Sequence, residues 1–560
     1  MKKEAEDYTG FKAVYFAALD SDVSLIVGVP GYPITSLMKL FMEKAGVKGL
    51  LEPKASIFEA DNSEELDCPA YSALWLTNEK VAMETALGAS VSGRRALVLV
   101  KHVGMNLLSD PLITSVTHTI GAGLVIITGD DPGVKGSQNE QDSRWYGRIA
   151  EIAVFDPADP HSAYRALRRA YELSEETKTP VILRVTAGLE KSAGKIKRLP
   201  RSLATHPEFD RSVWENRTME KHRLFHSKVY PLLEAEAENT DLNKIIFRTV
   251  KGTKIDSKPE RESERPESGS APPECGSGRI GIISSGFVSS IVEKVLKKRD
   301  FDREISHLSL NLINPLPLGK VGTFLRYYQK VLVVEESEPF IEEQIRIAGS
   351  VYGKKTGHLP YGQVMPEDIE FALEHIDEEK VSNSVSVDAA FIKKEKGGRT
   401  TICNNCPYLP LYRFLSTLDV LIAGDMGCSV RSAPEPLAAV DVSFALGSAI
   451  SVACGFEKKG VAVIGDFAMA HSGILGLINA VTAGCNVLVL VLQNEIAAMT
   501  GGQEVPDLSK VVEAITPDIS VFDIDVNNRI TNPRLSELIR TKIALPGVSV
   551  IFIKGKCRKY

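Results

Sequence analysis

Short apolar runs alternate with stretches of helical apolar spacing along most of this chain. Near its C-terminal end, Val461 to Ile464 is one such run, broken by Gly465-Asp466. Ile474 to Ala483 then spaces its apolar residues as a helix does, and Val487 to Leu492 is a second run that stops at Asn494. Continuous apolar runs of this kind suit strands buried on both faces, so the pattern predicts a βαβ unit in a parallel sheet. The N-terminal part reads the same way. Phe11 to Ala18 predicts a helix, Leu25 to Val29 a strand, Pro30-Gly31-Tyr32-Pro33 a turn, and Thr35 to Ala45 a second helix. After Trp75-Leu76-Thr77 come a helix (Val81 to Ser90), a strand (Ala96 to Val100) and a polar loop (His102 to Asp110) opening a helix. A further strand, Gly123 to Thr128, ends in Gly129-Asp130-Asp131-Pro132-Gly133. Strands alternating with helices predict an α/β chain with doubly wound parallel sheets.

Between these regions the pattern changes. Residues 196–278 turn polar, and from about 253 to 278 Lys, Glu, Ser, Pro and Gly dominate, a composition too poor in apolar surface to fold. That stretch reads as a flexible linker, with Cys275 incidental to it. A strand and helix resume over Arg279 to Ser290. Four segments result: 1–195, a connector over 196–278, 279–385 and 395–560. Glu335 to Glu343 reads as a solvated acidic edge.

The chain has 560 residues, enough for several domains, with 44% hydrophobic content and a net charge of −6. That balance gives no reason to expect a nucleic-acid partner. MKKEAEDYTG has no apolar core of a signal peptide, and no run is long enough to span a bilayer, so the expectation is a cytoplasmic protein with no membrane partner. Eight cysteines in so long a chain do not make a disulfide scaffold. Cys454 and Cys485, in apolar helical context, read as core.

The chemistry gathers at the strand ends. Asp466 and Asn494 stand 28 residues apart at the carboxyl ends of the two runs, where α/β sheets bind ligands. Mg²⁺ takes one or two protein oxygens and fills its octahedron with water and phosphate oxygens. The side chains of Asp466 and Asn494, with the Ile496 carbonyl, form such a set. Gly465, Thr500, Gly501, Gly502 and Gln503 surround it, the glycine pair able to bring backbone N–H groups close to a diphosphate. An ordinary βαβ unit with polar strand ends fits the dyad alone equally well. Two cysteine motifs stand nearby, Thr401-Ile402-Cys403-Asn404-Asn405-Cys406-Pro407-Tyr408 and Gly424-Asp425-Met426-Gly427-Cys428-Ser429. Cys-x-x-Cys by itself is open to zinc, redox and iron–sulfur readings.

Gly-Asp followed at this spacing by Asn resembles the signature of thiamine diphosphate enzymes. The phrases NEKVAMETALGAS, KHVGMNLLSDPL, DDPGVKGSQNEQDSRWY and KTPVILRVT, which fill most of residues 75–187, closely resemble the large (alpha) subunit of indolepyruvate:ferredoxin oxidoreductase. The resemblance implies a thiamine diphosphate-binding fold. Residues 1–195 would be its pyrimidine-binding domain, 279–385 a transketolase C-terminal-type domain, and 395–560 its diphosphate-binding domain. It implies that Glu79 hydrogen-bonds the cofactor's aminopyrimidine, and that His102, Glu140 and His471 serve the active site. Asn106, Ser137, Asp142 and Arg144 lie in matched loops that could line a substrate cavity. In the Pro30–Ser36 turn, one register puts Tyr32 where the family has a cofactor-facing threonine, and the other keeps that threonine as Thr35.

The resemblance also implies that Cys403, Cys406, Cys428 and Cys557 ligate one [4Fe–4S] cluster. The implied reaction oxidises a 2-oxoacid, an aryl pyruvate such as indolepyruvate among them, to an acyl-CoA. Coenzyme A and ferredoxin would be its partners, with a homodimer contact and a small gamma-type (beta) subunit. There are departures. Tyr408 replaces a histidine of the family's cysteine motif, Thr500-Gly501-Gly502-Gln503 replaces Thr-Gly-His-Gln, and the sequence carries no Cys-x-x-Cys-x-x-Cys run of a ferredoxin-like domain. A non-oxidative 2-oxoacid decarboxylase or ligase, and a degenerate non-catalytic subunit, are the alternatives.

Overall fold

The computed structural model describes residues 6–45, 71–250, 253–255, 279–298, 303–381, 402–524 and 532–560. The chain divides into two units, residues 1–386 and 387–560.

Among its described residues the first unit is built on two large sheets, beside a two-stranded antiparallel pair of Glu6–Thr9 with Ala193–Ile196. Its seven-stranded sheet runs in the order Leu312–Asn314, Val154–Phe155, Val181–Thr186, Leu124–Asp130, Ala96–Lys101, Leu25–Gly28, Ser72–Trp75. All neighbours are parallel except the outermost pair, Leu312–Asn314 against Val154–Phe155. The central strands are buried on both faces, as their unbroken apolar runs require. Chain direction across the sheet reverses at Leu25–Gly28, which lies between Ser72–Trp75 and Ala96–Lys101. The loops leaving the carboxyl ends of these strands therefore flank a crevice suited to a ligand. The segment expected to be a polar loop after His102 is helical from Met105, in a helix that continues to His118 with Pro111 inside it.

The second sheet has six strands in the order Thr253–Ile255, Lys244–Val250, Ile305–Leu310, Ile280–Ser285, Lys330–Val334, Val351–Tyr352. The polar connector thus holds more structure than its composition suggests. Lys244–Val250 pairs antiparallel with Ile305–Leu310, and the helix Tyr230–Asn239 buries Leu233 and Ala237. Of the expected linker, Thr253–Ile255 is a short strand, and residues 256–278 lie outside the described residues. One apolar cluster, with Met83, Leu108 and Ile126 at one end and Ile283, Leu310 and Val333 at the other, joins the two sheets.

A buried ionic network lies beside that cluster. Arg144 forks onto Asp142 and onto Glu335 (Nη1 to Oε2, 2.7 Å), and its Nη2 donates to the carbonyls of Glu336 and Glu338. Arg184 bridges Asp130 (2.7 Å) and Asp156 (3.2 Å). The structure corrects two sequence readings here. Asp142 and Arg144 have no exposed side-chain surface and tie the two sheets together instead of lining a cavity. Glu335, Glu336 and Glu342 do not form a solvated edge, because all three are buried. Glu335 accepts the backbone N–H groups of Ile341 and Glu342, and Glu342 accepts those of Lys354 and Lys355, bonds that a short-range sequence pattern does not reveal.

Burial pushes the carboxyls of Glu336 and Glu342 up to about 7. The folded chain therefore binds their protons more tightly than the unfolded chain does. Their contribution is fully present below the unfolded value of 4.5 and is lost as pH rises through 7. Glu336→Gln is expected to flatten this decline by roughly 2–3 kcal/mol, read as denaturant unfolding between pH 5 and 8.

The second unit is a five-stranded, all-parallel sheet in the order Ile422–Gly424, Gly460–Gly465, Val487–Gln493, Val548–Lys554, Ile519–Asp523. The predicted βαβ unit is present, with its helix over Ile474–Thr482. A two-stranded hairpin, Ile496–Ala497 against Gln503–Glu504, follows its last strand. Among the described residues no helix is long and apolar enough to cross a membrane.

Candidate active site

Three acid or amide side chains follow the carboxyl ends of three adjacent parallel strands in the second unit. Asp425 follows Ile422–Gly424, Asp466 follows Gly460–Gly465, and Asn494 follows Val487–Gln493. Asp466 Oδ2 accepts the backbone N–H groups of Asn494 (2.9 Å) and Glu495 (2.6 Å), and Oδ1 accepts that of Phe467 (2.8 Å). The expected dyad is thus brought together. Asn494 Oδ1 accepts the Ile496 N–H at 3.0 Å, which folds the chain back over the strand end. Glu495 takes a left-handed φ of 66°, a conformation a non-glycine residue holds only where its surroundings impose it. Burial pushes the Asp466 carboxyl up to about 6, and the backbone N–H groups of Glu495, Phe467 and Asn494 only partly offset it.

Asp425 was not singled out in the sequence. Its carboxylate is buried and accepts Gly447 N–H (2.7 Å) and Gly427 N–H (3.1 Å). Burial raises it to about 6, opposed by the backbone N–H groups of Gly447, Met426 and Gly427 and, less, by the nearby His471. The signal was available, because Gly424-Asp425 after an apolar run repeats Gly465-Asp466. His471 is buried in the turn Met469–Gly473, with Nδ1 3.1 Å from Ser472 Oγ. Gln493, the last residue of its strand, is buried with Oε1 unpartnered.

The loop past Asn494 differs from expectation in one respect. Gly502 N–H is spent on the Ala497 carbonyl (3.1 Å), and the Tyr560 ring stands 2.7 Å from where a Cβ at Gly502 would lie. This glycine closes the hairpin and is not turned toward the strand ends. Thr500 and Gln503 lock the same turn, Thr500 Oγ1 donating to Gln503 Oε1 (3.0 Å) and Gln503 Nε2 to the Thr500 carbonyl (2.9 Å).

The four cysteines assemble around the end of the Val548–Lys554 strand. Cys403 and Cys406 close a tight turn, Cys406 N–H donating to the Cys403 carbonyl. Tyr408 anchors that turn by donating to the carbonyls of Gly555 (2.9 Å) and Ile553 (3.3 Å), just before Cys557. Burial pushes the Cys406 thiol up to about 12, and Cys428, Cys403 and Cys557 each add to the shift. Burial raises the Cys428 thiol too, with Cys557 and Cys403 contributing. Cys406 and Cys428 thus each lie within electrostatic reach of both Cys403 and Cys557. Among the described residues no three His, Cys, Asp or Glu side chains converge closely enough to hold a single ion.

In the first unit, Glu79 opens the helix Glu79–Val91, capped by Asn78, and is buried at a helix end whose dipole favours an anion. Gly104 packs directly on it, and a Cβ there would stand 2.8 Å from Glu79 Oε1. Thr35 spends its hydroxyl on its own turn, accepting from Gly31 N–H and donating to the Gly31 carbonyl, both at 2.9 Å. Gly31 in turn packs on Lys101, so the loops after two adjacent strands touch. His102 is wholly buried. Its Nδ1 faces the Gly129 carbonyl (3.2 Å) and its Nε2 the Asn139 carbonyl (3.1 Å). The two carbonyls favour an imidazolium, but burial opposes it more strongly and lowers the pKa. Glu140 Oε2 accepts Gly133 N–H at 3.3 Å and lies beside Ser337 and Lys354, and burial raises its carboxyl. Its Oε1 is buried without a partner, as is Ser137 Oγ. The structure thus brings Glu79 to Gly104 and ties His102 to the residue preceding Glu140.

Residues 425–527 match the model of the thiamine pyrophosphate enzyme C-terminal TPP-binding domain, a span that begins at Asp425 and includes Asp466, Asn494 and the hairpin. The chain thus carries a domain of the thiamine pyrophosphate enzyme C-terminal type within a mixed α/β architecture. Its similarity to IorA proteins runs along nearly its whole length. It is 28% identical to the indolepyruvate oxidoreductase subunit IorA of Archaeoglobus fulgidus, over 98% of this chain and 86% of that protein. The IorA of Thermococcus kodakarensis is likewise 28% identical, over 98% and 85%. Among solved structures, a 2-oxoglutarate:ferredoxin oxidoreductase from Magnetococcus marinus, with 2-oxoglutarate, coenzyme A and succinyl-CoA bound, superposes at a TM-score of 0.46. It shares 15% identity over 67% of this chain and 65% of that one.

Proposed function

We infer that this chain is the large subunit of a thiamine pyrophosphate-dependent 2-oxoacid:ferredoxin oxidoreductase. Its substrates are aryl pyruvates of the indolepyruvate class, oxidised to acyl-CoA in the cytoplasm. The observation that carries the reading is the grouping of Asp466 and Asn494 at adjacent strand ends, in the same unit as the thiols of Cys403, Cys406, Cys428 and Cys557.

The donor set fits the groups this function needs. Asp466 and Asn494, with the Ile496 carbonyl, are the hard oxygen donors that would hold Mg²⁺ against a diphosphate. The desolvated Asp466 carboxylate is a charge that a divalent ion would offset. Cys403, Cys406, Cys428 and Cys557 would hold one [4Fe–4S] cluster, which carries single electrons toward ferredoxin. When bound, thiamine pyrophosphate supplies the electron sink for decarboxylation.

The chain's own residues do the rest. Glu79 holds a carboxylate at a fixed place against Gly104 and accepts a hydrogen bond from the aminopyrimidine. His102 is a positioning residue that pins the 137–140 loop, and Glu140 offers its unpartnered oxygen to substrate. Thr35 shapes the turn beside Lys101. His471 lies close enough to Asp425 to favour its ionised form, though less than the backbone N–H groups that bond it. Residues 1–195 serve as the pyrimidine-binding domain, 279–385 as a transketolase C-terminal-type domain, and 395–560 as the diphosphate-binding domain. A homodimer contact and a small beta-type subunit complete the enzyme.

Gly104→Ala tests the placement of Glu79. The added methyl displaces the carboxylate, and kcat for indolepyruvate oxidation is expected to fall about 100-fold with the fold retained, as expected for a misplacement on the order of 1 Å. The proposal as a whole is tested by anaerobic purification with iron and acid-labile sulfide analysis and EPR after dithionite reduction. About four irons per chain are expected, lost in Cys403→Ser and Cys557→Ser. Protein that binds thiamine pyrophosphate but holds no iron would instead be a non-oxidative 2-oxoacid decarboxylase or ligase.

A further inference from the structure

Two cysteines that the proposed function leaves unused stand together. Cys454 ends the helix Ala449–Cys454, and Cys485 follows the helix Ile474–Thr482 and precedes the strand Val487–Gln493. The sequence placed both in the core. In the structure each is half-buried at its edge, and the two thiols are within hydrogen-bond reach of one another. The neighbouring backbone is held in place. Cys485 N–H donates to the Ala480 carbonyl at 2.9 Å, after Gly484 turns the chain with a φ of 64°. The two helices also pack closely, since a Cβ at Gly476 would meet Ser451 Oγ at 2.9 Å and Ile450 Cβ at 3.4 Å.

We propose that Cys454 and Cys485 are a redox modification site, closing a reversible intrachain disulfide with a low-molecular-weight disulfide as oxidant. In the first step the Cys485 thiolate attacks the oxidant, forming a mixed disulfide and releasing one thiolate. In the second, Cys454 sulfur attacks the Cys485 sulfur, the protein S–S bond forms, and the second thiolate leaves. The two protein thiol protons pass to the two released thiolates, so one disulfide is reduced as one is formed. The two thiols neighbour one another and neither is fully buried, which supplies the proximity and access this exchange requires.

The position gives the cross-link a consequence. The pair lies at the amino-terminal side of the sheet, away from Asp425, Asp466 and Asn494, but the helices that carry it lead there. Gly447, two residues before the first helix, donates to Asp425 at 2.7 Å. Ser472, two residues before the second, donates to the Leu446 carbonyl at 2.8 Å. The disulfide would fasten the far ends of the two segments that meet beside Asp425 and His471.

The test treats the full-length, anaerobically purified protein with oxidised glutathione, followed by differential alkylation and non-reducing peptide mapping. Cys454 and Cys485 are expected to lose reactivity together, their peptides joined with the loss of two hydrogens, and dithiothreitol should restore both. Cys485→Ser and, independently, Cys454→Ala should each abolish the cross-link, with circular dichroism confirming that the variants fold. Stable glutathione adducts on both residues, unchanged reactivity of both, or cross-links to another cysteine would each overturn the proposal. None of these outcomes depends on whether the iron–sulfur reading holds.

Discussion

Asp466→Ala is expected to abolish Mg²⁺-dependent binding of thiamine pyrophosphate, weakening it at least about 100-fold by isothermal titration calorimetry, since it removes charge-assisted interactions worth about 1.5–3 kcal/mol each. The side chain serves twice. As a carboxylate it would neutralise the metal, and as an acceptor it satisfies three backbone N–H groups, those of Phe467, Asn494 and Glu495. Alanine loses both functions, so the turn carrying Asn494 would also loosen. Asp466→Asn separates them. Its remaining amide oxygen keeps part of the turn, so thermal stability should hold close to that of the native protein while cofactor binding is lost. If Asp466→Ala bound thiamine pyrophosphate normally in the presence of Mg²⁺, the strand-end dyad would have no part in the site.

The largest expected loss of stability lies elsewhere, at Arg144. Its guanidinium has no exposed surface and faces the carboxylates of Asp142 and Glu335 and two main-chain carbonyls. Arg144→Ala leaves two buried carboxylates without their counter-charge, and such losses cost about 3–5 kcal/mol. Arg144→Lys should restore little of it, because one ammonium cannot reproduce a planar fork that bonds five groups, Ser285 among them, in fixed directions. Urea unfolding followed by circular dichroism reads both effects. A change below about 1 kcal/mol for Arg144→Ala, the scale of an exposed ion pair, would contradict the placement of this network.

The sequence made the strands and their ends legible because burial on two faces and the Gly-Asp break are local signals. Asp466 and Asn494 could be placed at strand ends in advance for that reason, whereas Glu79 stood out only through the resemblance of its Asn78-Glu79-Lys80 motif. Asp425 carried the same signal and was passed over, its strand being the shortest of the three. The ionic network was not legible at all. Arg144 and Glu335 are separated by 191 residues, and nothing local distinguishes an acid that will be buried against a distant arginine from one that stays in water. Gly502 shows the opposite error. A Gly-Gly pair near a diphosphate loop suggests phosphate contact, yet here the second glycine answers to the bulk of Tyr560. The pairing of Cys454 with Cys485 also depends on how two helices lie together, which residue spacing does not encode.

The strand Leu312–Asn314 lies in the segment assigned to the middle domain but hydrogen-bonds the outer edge of the N-terminal sheet. Asn314 Nδ2 also donates to the carbonyls of Gly147 and Ile152. The boundary drawn along the sequence between the N-terminal and middle segments is therefore not a seam in the molecule. A fragment ending near residue 195 would expose the edge of Val154–Phe155 as an open template for intermolecular pairing. The fragment beginning at 279 would carry an orphan strand. Residues 1–386 should consequently melt in a single transition, and recombining this enzyme's parts with those of relatives would succeed only if the exchange kept Leu312–Asn314 with the sheet it completes.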